Sequence, residues 1–272
     1  ADLNAPIYWD NPYWTRYKNY ETDGRSRTIG NMSLDYKLTS WLDVFGRVAV
    51  DTYFESQEER RAVGSLAATF GISRNDQSSG YLRRENNFSK YNFDFMLNIK
   101  KDLTENLNLT GLIGVSERRT NNSQYTASTE GGLSVANVYA LNNSVSTPPY
   151  PVETISKVGV RSFYASASLG YKNFLFLDGT FRYDYASTLP VSDNKYTYPS
   201  VTGSFIFTDI VKQNWLSLGK VRLNWAKVGN LAPFNALTDE YVVDAPMGGA
   251  SYRLPNTKNN PKLKSESTYS YE

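Results

Sequence analysis

Strand hairpins of strictly alternating polarity recur about four times along the chain, each closed by a short turn and followed by a long polar connection. In the first hairpin, one face carries Thr28, Gly30, Met32, Leu34, Tyr36 and Leu38, then Leu42, Val44, Val48, Val50 and Phe54. The opposite face carries Asn31, Ser33, Asp35 and Lys37, then Asp43, Arg47, Asp51 and Glu55. Because strand side chains alternate in direction, each strand has one apolar and one polar face. Strands this long, with short turns on one side, are typical of a membrane-spanning β-barrel.

The composition agrees with a barrel wall. The chain has 272 residues and a mean hydropathy of -0.50, and no apolar run approaches the length that a spanning helix needs. Phe, Trp and Tyr nevertheless make up 14% of it, with 21 tyrosines. Aromatic girdles and a wet interior account for this combination. A soluble all-β domain with tyrosines at turns and in cross-strand pairs is the alternative.

Several kinds of chemistry are excluded by composition. The chain has no Cys and no His, so disulfides, thiol nucleophiles, Cys/His zinc sites and histidine acid–base pairs cannot form. Its net charge of +2 argues against a nucleic-acid partner. Three arginine doublets, Arg60-Arg61, Arg83-Arg84 and Arg118-Arg119, fall in or beside predicted loops. Solvated loop charge is the simpler interpretation, and contact with lipopolysaccharide phosphate is the other.

The alternation predicts eight strands in four pairs, with another strand beginning near the end of the chain. Residues 1–24 form a loop or strand lead-in, and the strands cover about 25–38, 41–55, 86–100, 106–119, a pair turning at Lys172-Asn173, 196–208 and 218–229. The long connections are 57–84, 120–158, 187–196 and 230–263. Pro199 requires a strand start or a bulge, since Pro lacks a ladder donor.

The hairpin geometry assigns sides and faces. Leu34, Val48, Leu97 and Phe205 are predicted to face lipid, and Ser33, Asn98 and Ser204 to face water. Long connections all lie on the same side by strand count, and in outer-membrane barrels the long loops are extracellular. Aromatic anchors are enriched at binding hot spots. The candidates for contact with a substrate or partner on these loops are Tyr125, Tyr139, Tyr150 and Tyr252.

A family resemblance rests on three collinear stretches. The first, Asn11-Pro12-Tyr13-Trp14, leads into Arg25, Arg27, Gly30-Asn31, Ser33-Leu34 and Tyr36–Leu42. The others are Leu218–Asn230 and Asn260–Ser267, and Gly131–Val135 with Asn142–Ser144 is similar to a mid-barrel loop. Together they resemble the SusC/RagA-type TonB-dependent outer-membrane transporters.

The resemblance implies a fold and a function. Residues 1–272 would be about eight or nine strands of a barrel of about 22 in the outer membrane of a Gram-negative bacterium. Family members import oligosaccharides or peptides, with a SusD-like surface lipoprotein over the extracellular mouth and TonB acting on an N-terminal plug. We therefore expect a mid-barrel piece of a longer chain, with the plug and the remaining strands elsewhere.

Enzymatic activity is not expected. Asp51, Asp94, Asp178 and Asp184 lie on predicted polar faces, where a glycosidase would need a matched carboxylate pair. A polar channel wall with Arg47, Lys100 and Arg182 as counter-charges is the simpler interpretation. Asp193-Asn194-Lys195 lacks the spacing of a Ca²⁺ loop, so no metal or cofactor is predicted. A soluble glycan-binding module and a passive porin-type barrel stay open as alternatives to active import.

Overall fold

One antiparallel sheet dominates the computed structural model, which describes residues 9–212, 215–244 and 251–272. Its nine strands are β1 (Tyr20–Lys37), β2 (Leu42–Arg61), β5 (Gly80–Thr104), β6 (Leu107–Ser128), β9 (Val152–Tyr171), β10 (Leu175–Ala186), β11 (Lys195–Ile206), β12 (Lys220–Val228) and β15 (Thr268–Tyr271). They lie side by side in this order, so the predicted all-β fold built from successive hairpins is confirmed. β1 and β15 are the outermost strands.

The connections contain short elements of their own. Three two-stranded ribbons pair β3 (Ala68–Phe70) with β4 (Asn75–Gln77), β7 (Glu130–Leu133) with β8 (Ser144–Ser146), and β13 (Val242–Asp244) with β14 (Ser251–Arg253). Single 3-10 turns cover Leu141–Asn143, Val191–Asp193 and Phe207–Asp209. The predicted loop 230–263 lies partly outside the described residues. Residues 1–8 lie wholly outside them. Within the described chain, no helix has the length and apolar character required to cross a membrane.

Residue contacts divide the chain into two compact units. The first comprises the residues up to Gly30, Val50–Lys90 and Thr120–Lys157, and the second comprises Asn31–Ala49, Tyr91–Arg119 and Val158–Glu272. In the first unit, the buried apolar side chains are Ala62, Phe70, Tyr81, Leu82, Ala127 and Leu133. In the second unit, Val160, Ala186, Leu189 and Tyr196 form a buried cluster against which Tyr198, Leu231 and Leu263 pack.

Strands in the first unit are longer than the alternation predicts. β2 continues to Arg61 and β5 begins at Gly80, so the predicted loop 57–84 shortens to residues 62–79. β6 likewise continues to Ser128, which shortens the predicted loop 120–158. The strands stay paired here although residues 56–61 of β2 are polar on both faces and residues 120–128 of β6 are mostly so. A prediction that requires one apolar face therefore places the end of each strand several residues too early.

The short turns follow the prediction more closely. Lys172 and Asn173 have φ values of 47° and 59°, and the Phe174 N–H donates to the Tyr171 carbonyl at 3.2 Å. Positive φ at both central residues with this bond defines a type I′ turn, which matches the twist of the flanking strands. Strand β5 ends at Thr104 and β6 begins at Leu107. The turn between these two strands therefore contains only two residues.

Pro199 lies inside β11, neither at a strand start nor in a bulge. Its register with β10 is continuous, since Pro199 pairs with Phe181 and the residues on either side pair in sequence. Pairing of β11 with β12 begins only at Ser200. Pro199 therefore lies one residue outside the part of β11 that pairs with β12. The backbone N–H that proline lacks is thus not needed for pairing with β12.

The predicted lead-in of residues 1–24 is wrong in part, because it contains a helix. Helix α1 (Pro12–Lys18) has Pro at its start, and the Asn11 side chain accepts a hydrogen bond from the Tyr13 N–H at 2.9 Å. Asn at the N-cap followed by Pro is a strong helix-start signal. Strand β1 then begins at Tyr20, earlier than predicted.

The three arginine doublets lie in strands: Arg60-Arg61 and Arg83-Arg84 are therefore not in the predicted loop 57–84, and Arg118-Arg119, predicted beside a loop, lies within β6. Each doublet places one guanidinium on each face of its strand, because consecutive side chains alternate. One member of each pairs with a carboxylate two residues away on the same face. These pairs are Arg60–Glu58 at 2.7 Å, Arg83–Glu85 at 2.8 Å and Arg119–Glu117 at 2.7 Å.

Candidate functional site

The polar face of the sheet in the second unit carries paired charges. Arg47 on β2 donates from Nε and Nη2 to Asp94 Oδ2 on β5, at 2.9 and 2.8 Å. On β10, Arg182 Nε donates to Asp184 Oδ1 at 2.8 Å, and its Nη2 donates to Ser162 at 2.9 Å. Both carboxylates are largely shielded from solvent, and charge-assisted bonds of this length fix the arginines in place.

The first unit repeats this arrangement between β1 and β2. Arg25 contacts Glu55 at 2.7 Å, and Arg27 binds Asp51 through two bonds of 2.8 and 2.7 Å. The Arg25 guanidinium also lies 4.7 Å from the centre of the Tyr53 ring. Two parallel bonds from one arginine are the geometry that best matches a carboxylate. The predicted polar wall is therefore built from specific Arg–carboxylate pairs.

These pairs bear on the possibility of catalysis. Three of the four predicted polar-face carboxylates, Asp51, Asp94 and Asp184, hold arginines. Asp178 has no hydrogen bond or ion pair among the residues that the structure describes. Among the residues that the structure describes, no three acidic side chains are grouped so that they could hold a metal ion. The arginine-bound carboxylates and their partners can form hydrogen bonds with a polar solute.

The opposite face in the second unit is apolar. A depression of about 900 Å³ is lined there by Met32, Leu34, Val48, Phe93, Phe95, Val115 and Phe163, among others. Two of the residues predicted to face lipid, Leu34 and Val48, share this surface. Phe205 is paired in register with Leu175 and Val221, and Leu97 is half-buried on β5. Contact of these side chains with lipid stays a prediction.

Ser204 does not face water as predicted. Its exposed fraction is only 5%, and it lies in register between Phe176 on β10 and Arg222 on β12. Alternation correctly places Ser204 on the polar face, but it cannot show how large its neighbours on adjacent strands are.

Two connections of the first unit are folded against each other. Glu130 accepts hydrogen bonds from the side chains of Ser73 and Asn75, and the Tyr81 N–H donates to Thr129 Oγ1 at 2.9 Å. Asn143 closes the 130–146 segment, because its side-chain amide donates to the carbonyls of Val135 and Val138 at 2.8 and 2.6 Å. These two connections are thus ordered by hydrogen bonds between them and within the 130–146 segment, which the loop composition alone did not predict.

The four predicted contact tyrosines lie in different settings. Tyr150 is 89% exposed in the connection before β9, and Tyr252 is exposed in β14. Tyr125 lies in β6 and not in a loop, since that strand is longer than predicted. Tyr139 packs under Arg60, whose guanidinium lies 5.3 Å from the Tyr139 and the Tyr20 ring centres. Burial raises the pKa of Tyr139, and neighbouring Arg60 opposes that rise.

The Asn-Pro-Tyr-Trp segment fixes the first connection. Trp14 Nε1 and Asn19 Nδ2 both donate to Ser65 Oγ, at 3.0 and 2.9 Å, and the Ala62 N–H donates to Asn19 Oδ1 at 2.8 Å. Gly64 has a φ of +100°, and a Cβ there would lie 3.3 Å from the Trp14 ring. A side chain on residue 64 is therefore disfavoured by both conformation and space.

Comparison with known proteins gives a family. A family model described as TonB dependent receptor-like, beta-barrel, matches residues 1–272. No curated protein sequence matches significantly. A solved structure of the RagAB peptide transporter is similar with a TM-score of 0.83 and 17% identity, over 96% of this chain and 29% of that one.

Two further solved structures agree with the first. The RagAB peptide importer in its closed-closed and open-open states gives a TM-score of 0.78 and 18% identity in each case, over 96% of this chain and 28% of that one. The chain thus spans less than a third of the length of these solved chains. At this identity the likeness concerns the fold.

Proposed function

Because the chain belongs to the TonB-dependent receptor-like β-barrel family, as its resemblance predicts, we propose that it forms part of the wall of an active outer-membrane importer of large nutrients. The single observation that carries this proposal is the family match over residues 1–272. A sheet of successive hairpins with an apolar and a polar face is consistent with it. The family match also favours a barrel over a soluble glycan-binding module.

The two faces of the sheet have different roles in this proposal. The apolar face, which includes Leu34, Val48, Leu97 and Phe205, contacts outer-membrane lipid, with lipopolysaccharide around the extracellular rim. The polar face lines the lumen, where paired charges such as Arg47–Asp94 present a wetted surface without a strong net charge. In outer-membrane barrels the lipid-facing and lumen-facing residues alternate along each strand in this way.

The long connections form the recognition side. We place a SusD-like lipoprotein and the substrate against the structured 62–79 and 129–151 connections and against the 229–267 connection. The exposed Tyr150 and Tyr252 are the strongest anchor candidates, followed by Tyr125 and Tyr139. The similar solved structures are described as peptide transporters, which favours a peptide over an oligosaccharide as substrate. Energy comes from the TonB complex acting on the plug.

Uptake with and without TonB tests the proposal. Accumulation of candidate peptides and oligosaccharides is measured in cells that express the complete transporter, with TonB present or deleted, and after collapse of the proton-motive force. We expect accumulation to fall to the level of cells without the transporter in both cases. A passive porin-type barrel needs no energy, so equal uptake in all three conditions would contradict active import. Western blotting for the barrel in membrane fractions shows that its level is unchanged.

A further inference from the structure

We propose that a cavity on the polar face of the second unit is a binding subsite for a carboxylate group of the transported solute. It has a volume of about 730 Å³, and its polar lining consists of Arg118, Arg182, Asp184, Tyr198, Asn230 and Glu266. The proposal rests on the function proposed above, and it assigns a ligand chemistry to one place on the wall.

Arg118 is the centre of the subsite because its guanidinium is free. Among the described residues it has no hydrogen bond and no ion pair, whereas Arg182 in the same cavity is held by Asp184 and Ser162. The adjacent Arg119 lies on the other face of β6 and pairs with Glu117. A guanidinium has five donors in a planar fork that fits a carboxylate with two parallel bonds. Arg118 offers that fork to a ligand.

The cavity wall is held in place before any ligand arrives. The Tyr198 ring stacks on the buried Tyr196 ring with centroids 6.2 Å apart and an interplanar angle of 24°. Gly229 packs so closely on the Glu266 backbone and the Tyr198 ring that a Cβ at position 229 would clash with the Glu266 carbonyl. The next residue but one, Leu231, packs against the buried cluster. A preformed site loses little conformational entropy on binding, so its contacts contribute more to affinity.

Charge in the cavity restricts the ligand further. Arg182 and Asp184 neutralise each other, which leaves Arg118 and Glu266 as the charged groups of the cavity that have no partner in the part of the chain that the structure describes. A ligand that places a carboxylate on Arg118 therefore gains more if a separate N–H or O–H group reaches Glu266. Peptides carry amide and ammonium donors beside a carboxylate, and acidic oligosaccharides carry hydroxyls beside theirs.

Paired probes separate the two sources of the carboxylate. Binding to the purified full-length transporter in detergent is measured by calorimetry with tetra-alanine, with its C-terminal amide, with cellobiouronic acid and with neutral cellobiose. We expect one carboxylate probe to bind at least about tenfold more tightly than its neutral counterpart, as loss of a hydrogen bond to a charged group predicts. Equal affinity within both pairs would overturn the proposal. A preference in one pair alone identifies the source.

Substitution tests whether Arg118 is responsible. Arg118→Gln should remove the preference for the carboxylate probe and leave the affinity for its neutral counterpart within about twofold, since only the charge-assisted bonds are lost. Arg118→Lys keeps the charge without the fork and should restore part of the preference. The matched control is Arg119→Gln, the same change one residue away on the opposite face. If Arg118→Gln and Arg119→Gln behave alike, Arg118 does not bind the carboxylate.

The outcome is independent of the energy source. Calorimetry on purified protein requires no TonB, so a failure of active import leaves the carboxylate preference intact. Conversely, if the purified protein shows no preference for the carboxylate probes, the conclusion drawn from TonB-dependent uptake is unaffected. Circular dichroism of each variant in detergent shows that the strand content of the barrel is retained.

Discussion

Trp14 Nε1 donates a hydrogen bond to Ser65 Oγ at 3.0 Å, although 51 residues separate the two in sequence. The bond joins helix α1 to the connection after β2, and the Trp14 ring lies over Gly64. The tryptophan of the Asn-Pro-Tyr-Trp segment therefore has a structural role that its sequence context did not reveal. It anchors the first of the long connections.

Gly64→Ala should loosen this anchor. The φ of +100° disfavours any L side chain, and the added methyl would press on the Trp14 ring, so we expect a cost of about 1–2 kcal/mol. Hydrogen–deuterium exchange of residues 62–66 should accelerate accordingly. Gly24→Ala is the matched control, because a Cβ there meets nothing within 4 Å. Unchanged exchange in Gly64→Ala would show that the Trp14 contact does not hold the connection.

Arginine on the apolar face should destabilise the barrel strongly. We expect Leu34→Arg, Val48→Arg, Leu97→Arg or Phe205→Arg to lower the free energy of unfolding in lipid vesicles by about 2–4 kcal/mol near the bilayer midplane. Ser33→Arg and Asn98→Arg, on the polar face, should cost far less. Ser204 is unsuitable as a control, because it is buried between Phe176 and Arg222. Equal costs on both faces would mean that the face assignment is wrong.

Alternation was sufficient to predict the sheet. The pairing of β9 with β10 through Lys172-Asn173, and the sharing of one apolar surface by Leu34 and Val48, both follow from a period of two and from turn chemistry. The same rule fails at strand ends in the first unit. There most side chains on both faces are polar, so side-chain polarity no longer distinguishes strand from loop, although β2 continues to Arg61 and β6 to Ser128.

The site was less predictable than the fold. Asp51 and Asp94 were correctly placed on polar faces, but their partners depend on how far one strand is displaced along the next. That register cannot be read from a single strand. Folding of the 130–146 segment around Asn143 depends on backbone carbonyls, which carry no side-chain signature. Whether Arg118 has a partner likewise depends on its neighbours on other strands, which the sequence of β6 does not reveal.

The Arg47–Asp94 pair should be energetically coupled. Arg47→Gln, Asp94→Asn and the double variant form a thermodynamic cycle, from which we expect about 1–2 kcal/mol of coupling, since the Asp94 carboxylate is largely shielded from solvent. The comparison pair is Arg119–Glu117 in the same unit, whose side chains are more exposed, so solvent screens its attraction and no resolvable coupling is expected. Denaturant unfolding in vesicles provides the free energies. Additive effects at Arg47 and Asp94 would show that this pair does not stabilise the wall.

Tyr150→Ala should weaken the complex with the proposed lipoprotein partner and leave the barrel intact. Tyr150 is 89% exposed and has no hydrogen bond, ion pair or ring contact in the described chain, so its loss should not disturb the fold. A large aromatic ring at the centre of an interface commonly contributes enough for about a tenfold loss of affinity on truncation. Affinity is measured by co-purification from outer membranes and by titration of the detergent-solubilised partners. The control is Val191→Ala, at a similarly exposed position in another connection. It should change neither the yield of co-purified partner nor the titrated affinity. Tyr139→Ala should have a different effect, because it removes the ring that packs under Arg60. We expect it to accelerate hydrogen exchange in the 134–140 segment. If Tyr150→Ala binds the partner as tightly as the unaltered protein does, this tyrosine is not an anchor and the lipoprotein contacts another part of the connection side.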